Sequence, residues 1–279
     1  MEDAKTQNIG ITDFKNLIQS VKDNFYIDFS NYALSSLKRR VELFLQNFHF
    51  NNIDELIYKL NNDKKFFQVF LKNITVDTSE MFRDPEFWDE FKTFIIKKSK
   101  NNTELKIWLP CSNSGEELYS LLIILEKLKL TEKTLIYVSS ISTINVDNIK
   151  EASLEIKKMD VNSANFDRIE DGGNLFDFFT IKSYYAQLNR TLLQNVKIIH
   201  HDIFTENAPD LFDIILFRNK MIYFNQQLKN KALNILKSAL KIGGIIAVGV
   251  KESVNYPGYE REFSKVSNTE KIYKKLVTE

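Results

Sequence analysis

The most constraining feature of this sequence is a change of period near residue 100. Upstream of it, apolar residues recur at helical spacing, as in Phe14, Leu17, Ile18 and Val21, and then in Leu34, Leu37, Val41, Leu43 and Phe44. Polar breaks such as NFHFNN and NNDKK separate these stretches, and no strand-like alternation intervenes. The pattern predicts a helical domain with its linker over residues 1–84. A further helix is expected from Pro85 to about Lys98, with Asp84 as its cap and Pro85 in its first turn.

Downstream the character changes. LKIWLP (105–110), TLIYVSSI (134–141), VKIIHHDIF (196–204), FDIILFRN (212–219) and GGIIAVGV (243–250) are apolar runs of strand type. Helical stretches lie between them, at Glu116–Leu128, in NVDNIKEASLEI and at Gln226–Leu240. Strands alternating with helices imply right-handed crossovers and an α/β fold built on a Rossmann-like, doubly wound, mainly parallel sheet over residues 85–279. Such sheets bind ligands beyond the carboxyl ends of their strands. Residues 155–195 interrupt the alternation. They contain DGG and then FFTIKSYYAQLNRT, with partial period-2 alternation, and read as a small inserted antiparallel subdomain.

Composition excludes several functions. The chain has 279 residues, 43% apolar and 27% charged, enough to bury an ordinary core. A net charge of +1 argues against a broad nucleic-acid footprint, which needs a basic face. The lone Cys111 rules out an intrachain disulfide and a metal site built on several cysteines. His200 and His201 are neighbours in a strand and point to opposite faces, so no metal site is expected. No apolar run is long enough to span a bilayer, and the opening MEDAKTQNIG is polar and acidic. Membrane insertion is therefore not expected, and the cytoplasm is the expected location.

Four segments can carry chemistry. The loop PCSNSGEELYS (110–120) follows the first strand, and its small residues suit close approach of a ligand to a helix N-terminus. It holds one glycine, so a plain turn capped by Ser114 explains it equally well. The second strand lacks the acid that would accept hydrogen bonds from a ribose. The first acid after Tyr137 is Asp147, within the next helix, which leaves Ser140 or Ser142 to offer one weaker bond. FRNKMIYFN (217–225) sets Arg218, Asn219 and Tyr223 at the carboxyl edge, where an arginine ending an apolar strand must find a carboxylate or solvent. An exposed strand end with a packed tyrosine is the competing account. ITVDTSEMFRDPEFW (74–88) interleaves Asp77, Ser79, Glu80, Arg83 and Asp84 with aromatics, which suits a ligand pocket or a helix start docked on a core.

TSEMFRDPEFW, SGEELYS, FRNKMIYFN and GGIIAVGVKES, in that order and spacing, resemble the CheR-type chemotaxis-receptor methyltransferases, and the closing EREFSKVSNTEKIYKK resembles that family's C-terminal strand. The resemblance covers nearly the whole chain. It implies a SAM-methyltransferase fold that transfers a methyl group from S-adenosyl-L-methionine to protein glutamates and releases S-adenosylhomocysteine. The implied partner is a chemoreceptor cytoplasmic domain or another signalling protein. By the same resemblance, Arg83 matches the linker arginine that approaches the sulfonium and the acceptor glutamate. Asp77 and Ser79 stand where Asn and Thr contact the cofactor. Glu117 matches the cofactor-contacting glutamate of the GEE motif, and Arg218 and Asn219 match the strand-end pair. Tyr223 matches a tyrosine lining the reaction site. Asp202, with Ile203 beside it, lies where an asparagine contacts the adenine region. The catalytic set implied is Arg83, Arg218 and Tyr223, and Arg83, Glu117, Arg218, Asn219 and Tyr223 are expected to share one cleft.

The sequence departs from the family at two cofactor positions. Cys111 stands at the frequent glycine of a loop that usually reads AGCSTGEE, and Ser140 replaces the aspartate of the usual ATD motif. Losing one charge-assisted ribose contact costs about 1.5–3 kcal/mol, or roughly 10- to 100-fold in affinity. Two readings follow: an enzyme with a weakened cofactor site, or a CheR-like pseudoenzyme that serves as a protein-binding signalling module.

Overall fold

The computed structural model describes residues 9–75, 79–100, 104–169, 173–254, 259 and 261–277. The chain divides into two compact units, residues 1–76 with 220–231, and residues 77–219 with 232–279.

The first unit is helical: α1 (Ile11–Phe25), α2 (Leu34–Asn47), α3 (Ile53–Asn62) and α4 (Lys64–Ile74). The expected apolar stripe of α1 is its buried face, formed by Phe14, Leu17, Ile18 and Val21. In α2 the buried face is Leu37, Val41, Phe44 and Leu45. Leu34 and Leu43, counted with that stripe in the sequence, are exposed instead, at 41% and 44%. Leu43 lies off the 3.6-residue line drawn by Leu37, Val41 and Phe44, whereas Leu34 keeps that spacing but is the first residue of the helix. Side-chain caps start the next two helices: Asn52 accepts from the Glu55 amide, and Asp63 from the Phe66 amide. Such caps contribute about 1 kcal/mol each. Phe44 packs edge-on against Phe70, with ring centroids 5.2 Å apart.

The returning segment 220–231 joins this unit through backbone bonds. Ala33 N donates to the Tyr223 carbonyl (2.7 Å), Asn225 N donates to the Asn31 carbonyl (2.9 Å), and Tyr32 bridges Phe224. Tyr223 is half-buried, with the Arg40 guanidinium 4.6 Å from its ring centre. Arg40 also donates to the Ile74 carbonyl at 2.8 Å.

In the second unit, α5 (Pro85–Ser99) is followed by β1 (Leu105–Leu109), α6 (Glu116–Lys127), β2 (Thr134–Ser140) and α7 (Thr143–Glu151). Then come β3 (Ser153–Glu155), α8 (Met159–Asp167), β4 (Phe179–Lys182), β5 (Tyr185–Leu188), β6 (Val196–His200) and β7 (Phe212–Phe217). The order closes with α9 (Gln226–Ala239), β8 (Leu240–Val248), β9 (Phe263–Lys265) and β10 (Ile272–Lys275).

Seven strands form one sheet in the order β6-β2-β1-β7-β8-β10-β9. The pairs β6–β2, β2–β1, β1–β7 and β7–β8 are parallel, and β10 runs antiparallel to β8 and to β9. This is the mainly parallel sheet the alternation predicts. Every residue of β7 is buried, as a parallel strand covered on both faces requires. The chain runs outward from β1 through β2 to β6, then returns to pair β7 against the other side of β1. That reversal opens a crevice at the carboxyl ends of β1 and β7.

The inserted segment supplies β4 and β5 of an antiparallel sheet, β3-β5-β4, whose β3 falls in ASLEI, read from the sequence as helix, and it also contains α8, which the sequence does not announce. Two strand limits also shift. β6 ends at His200 rather than running to 204, and β8 begins at Leu240, directly after α9. Gly243, at φ +73°, lies inside β8 rather than ahead of it, and the β7–β8 register shifts between Phe212 and Ile214. A glycine in that conformation marks a bulge within the strand, not its start.

Candidate functional site

Four strands of the second unit deliver polar residues to one sheet edge. At the end of β7, Arg218 is buried, 3% exposed, immediately after six buried residues, five of them apolar and the sixth Asp213. Its Nη2 donates to Asp84 Oδ2 at 2.7 Å and to the Arg83 carbonyl at 3.3 Å. Its Nη1 reaches Glu117 Oε1 at 3.4 Å. The guanidinium lies over the Phe87 ring, 3.8 Å from its centre. Among the described residues its Nε has no partner. The exposed strand end is thus excluded: the arginine has found carboxylates.

Asp84 precedes α5 as expected but does not cap it. The residue is left-handed (φ 56°, ψ 72°), and its side chain accepts no bond from the helix. Its carboxylate goes to Arg218 instead, because a full charge partner outweighs a neutral amide. Ser114 is likewise not the cap of α6. The position before that helix is Gly115, where a Cβ would come within 2.0 Å of the Tyr119 ring. Tyr119 donates to the Ile149 carbonyl (3.1 Å), and burial, with the charges of Glu116 and Glu151, pushes its phenol up.

Asn219 is left-handed (φ 59°). Its amide donates to Glu252 Oε2 at 2.8 Å, and the same oxygen accepts from the Gly249 amide at 2.6 Å. Glu252 so ties the ends of β7 and β8 together. A Cβ on Gly249 would sit 2.8 Å from the Asn219 side-chain nitrogen, so only glycine leaves Asn219 its place. Glu270 belongs to the same charged region. Burial pushes its carboxyl up, Arg218 opposes that, and Glu90, Asp84 and Glu86 add to it.

Arg83 lies between two left-handed residues, Phe82 (φ 53°) and Asp84. Its carbonyl accepts from Trp88 Nε1 at 3.1 Å as well as from Arg218. Its side chain is half-buried, and among the described residues of this unit nothing pairs with its guanidinium.

The end of β2 is different. Ser139, Ser140 and Ser142 are all 0% exposed, and Asn145 is 1% exposed. Ser140 Oγ accepts from the Ser142 amide (3.4 Å), Ser142 Oγ caps α7 through the Asn145 amide (3.4 Å), and Asn145 Nδ2 reaches Asn113 Oδ1 (3.5 Å). No carboxylate stands there, and Asp147 lies inside α7 as expected. After β1, Cys111 is half-buried and left-handed (φ 55°), a conformation that glycine adopts without strain. Beyond β6, Asp202 accepts from the Phe204 amide at 2.9 Å, and Ile203 is buried.

The sheet edge therefore gathers Arg83, Glu117, Arg218 and Asn219 at β7, and Cys111, Ser140, Asp202 and Ile203 at the ends of β1, β2 and β6. Ser79 is half-buried at the start of the segment leading to Arg83. Asp77 falls outside the described residues, and Tyr223 belongs to the helical unit. Glu252, Ser120 and Asn162 were not singled out by the sequence reading. For Ser120, on a helix expected from the sequence, the signal was there: a polar residue on the buried face of a helix must find a partner. Among the described residues no cluster of His, Cys, Asp and Glu is placed to hold a metal ion. No helix among them is long and apolar enough to cross a membrane.

With this geometry in hand, two family profiles account for the chain. The CheR methyltransferase all-alpha domain matches residues 12–75, and the CheR methyltransferase SAM-binding domain matches residues 77–272. The chain belongs to the CheR methyltransferase family. Among its relatives is a Pseudomonas putida protein bearing the methyltransferase name Cher3, 28% identical over 260 residues and covering 93% of this chain and 95% of that one. A chemotaxis protein methyltransferase of Listeria innocua is 24% identical over 250 residues, covering 88% and 91% of the two chains. One from Borreliella burgdorferi is 27% identical over 267 residues, covering 88% and 90%.

The residues present fit S-adenosylmethionine unevenly. That molecule carries a carboxylate, an ammonium and a sulfonium at one end and a ribose at the other. At β7, one guanidinium with an unpartnered Nε faces the carboxylates of Asp84 and Glu117, a set with an excess of negative charge that suits a zwitterion bearing an extra cation. At β2, where a ribose would need an acceptor, the hydroxyls are neutral and already bonded to their neighbours.

Proposed function

We propose that this chain is a SAM-dependent protein-glutamate O-methyltransferase acting in the cytoplasm on chemoreceptors or related signalling proteins. The observation that carries the reading is the β7 end, where Arg218 is buried against Asp84 and Glu117 while Arg83 beside it keeps an uncommitted guanidinium. Arg218 and Glu117, with Asn219 held by Glu252, would hold the methionine end of the cofactor, and Ser79 and Asp77 would contribute from the linker. Cys111, Ser140, Asp202 and Ile203 would border its nucleoside. When bound, S-adenosylmethionine supplies an electrophilic methyl group on a positively charged sulfur.

A glutamate carboxylate is already a nucleophile at neutral pH, so the protein needs no strong general base. Its work is orientation and charge placement. Arg83 would steer the acceptor carboxylate without neutralising it through several hydrogen bonds.

The test is incubation with methyl-labelled S-adenosylmethionine and a chemoreceptor cytoplasmic fragment. The expected product is a base-labile methyl ester on glutamate, with the rate falling about 100-fold in Arg83→Ala, the scale of one lost charged contact in the transition state. Cofactor consumption without base-labile label would sink the reading. A second reading, a CheR-like module that binds a signalling partner without methylating it, is favoured by one observation: the buried, neutral β2 end.

A further inference from the structure

We propose that Ser120 and Asn162 are positioning residues that set Arg83 by clamping the two peptide groups before it. The proposal rests on the reading of Arg83 given above. Met81 N donates to Asn162 Oδ1 at 2.9 Å, and the Met81 carbonyl accepts from Asn165 Nδ2 at 3.0 Å. Phe82 N donates to Ser120 Oγ at 2.8 Å. Ser120 and Asn162 are both fully buried. They come from different helices: Ser120 lies one turn after Glu117 on α6, and Asn162 and Asn165 lie on α8, whose other buried residues are Met159 and Phe166.

The clamp grips a strained piece of backbone. Phe82 and Asp84 are both left-handed, a conformation that an aromatic residue adopts only where its surroundings over-determine it. Three side-chain bonds fix the backbone before Arg83, and two bonds hold its own carbonyl. The guanidinium alone is left uncommitted. Fixed backbone on both sides of a free charged side chain is what a positioned charge requires, and a plain linker between helices needs none of it. Among the described residues Asn162 Nδ2 is buried without a partner, a cost that the Met81 contact must justify. The clamp further ties Arg83 to the insertion: α8 follows β3 of the small sheet directly in the chain.

The test uses the full chain, with Ser120→Ala as the mild variant and Asn162→Ala as the stronger one. Without the Ser120 acceptor, exchange of the Phe82 amide should rise about 10-fold, and without Asn162 that of the Met81 amide, while the amides of β1 and β7 keep their protection. Tryptic release of the peptide ending at Arg83, quantified by mass spectrometry, should rise by a similar factor, because cleavage follows the local opening. Methyl transfer should fall about 10-fold in the parent background and not further in Arg83→Ala, since two residues acting through one group do not add. Equal falls in both backgrounds would overturn the proposal, as would unchanged exchange and cleavage. If the parent transfers no methyl group, that result counts against the proposed activity, and exchange and cleavage alone decide the clamp.

Discussion

The carboxyl ends of β7 and β2 lie in one sheet and are built from opposite materials. At β7, a buried guanidinium, three carboxylates and a left-handed asparagine are held by charge-assisted bonds, the shortest at 2.6 and 2.7 Å. At β2, serines and asparagines make neutral side-chain contacts of 3.2 to 3.5 Å. The charged end is expensive to dismantle, since removing any one group leaves a partner unpaired. The neutral end tolerates exchange of its residues. A lineage under relaxed demand for tight cofactor binding would lose contacts at β2 first, where each loss costs the fold least. On the proposed function, the comparison assigns Ser140 to affinity alone, and Arg218 to the fold and the site together.

The largest expected effect therefore lies at β7. Arg218→Met should destabilise the protein by about 3 kcal/mol in urea unfolding, because Asp84 and Glu117 lose their cation, and should abolish S-adenosylhomocysteine binding. A loss under 1 kcal/mol would break the contrast between the two ends. At the loop after β1, Cys111→Gly should stabilise modestly. Relief of the left-handed strain is worth about 1 kcal/mol, and the entropy of glycine takes back roughly half. A lowered melting temperature would mean that the thiol makes contacts worth more than that strain.

The smallest effect lies away from both ends, in the helical unit. Burial alone would raise the Asp28 carboxyl, but hydrogen bonds from Lys22 and Ser30 outweigh it and bring it down to about 2. A depressed carboxylate contributes stability above its unfolded value, about 4, and loses it as pH falls toward about 2. Because the pair is largely solvated, the loss should be small, and Asp28→Asn should flatten it. An unchanged acid profile in that variant would show the pair to be silent.

Much of this was legible in the sequence. The strands β1, β2 and β7 were placed within two residues because each is a continuous apolar run buried on both faces, and α1 because its stripe keeps the 3.6-residue period. α8 was missed because its central buried residue is Asn162, a polar residue on the face that should be apolar. Asp84 was read as a cap because local sequence shows the nearest amides, whereas its partner Arg218 lies 134 residues away. Leu43 was counted into a face it does not share, since an apolar residue on a short helix fits more than one phase, and Leu34 shares the face but is exposed at the helix start. Glu252 was invisible for the same reason as Asp84: its partners are backbone amides brought together by the sheet.

The central claim is that the cofactor site is retained at β7 and weakened at β2. Calorimetric titration of S-adenosylhomocysteine into the parent and into Ser140→Asp tests it most directly. The account predicts saturable binding by the parent and binding about 10-fold tighter by Ser140→Asp, one regained charged hydrogen bond being worth about 1.4 kcal/mol. No binding by either protein would contradict it and leave a CheR fold that has given up its cofactor.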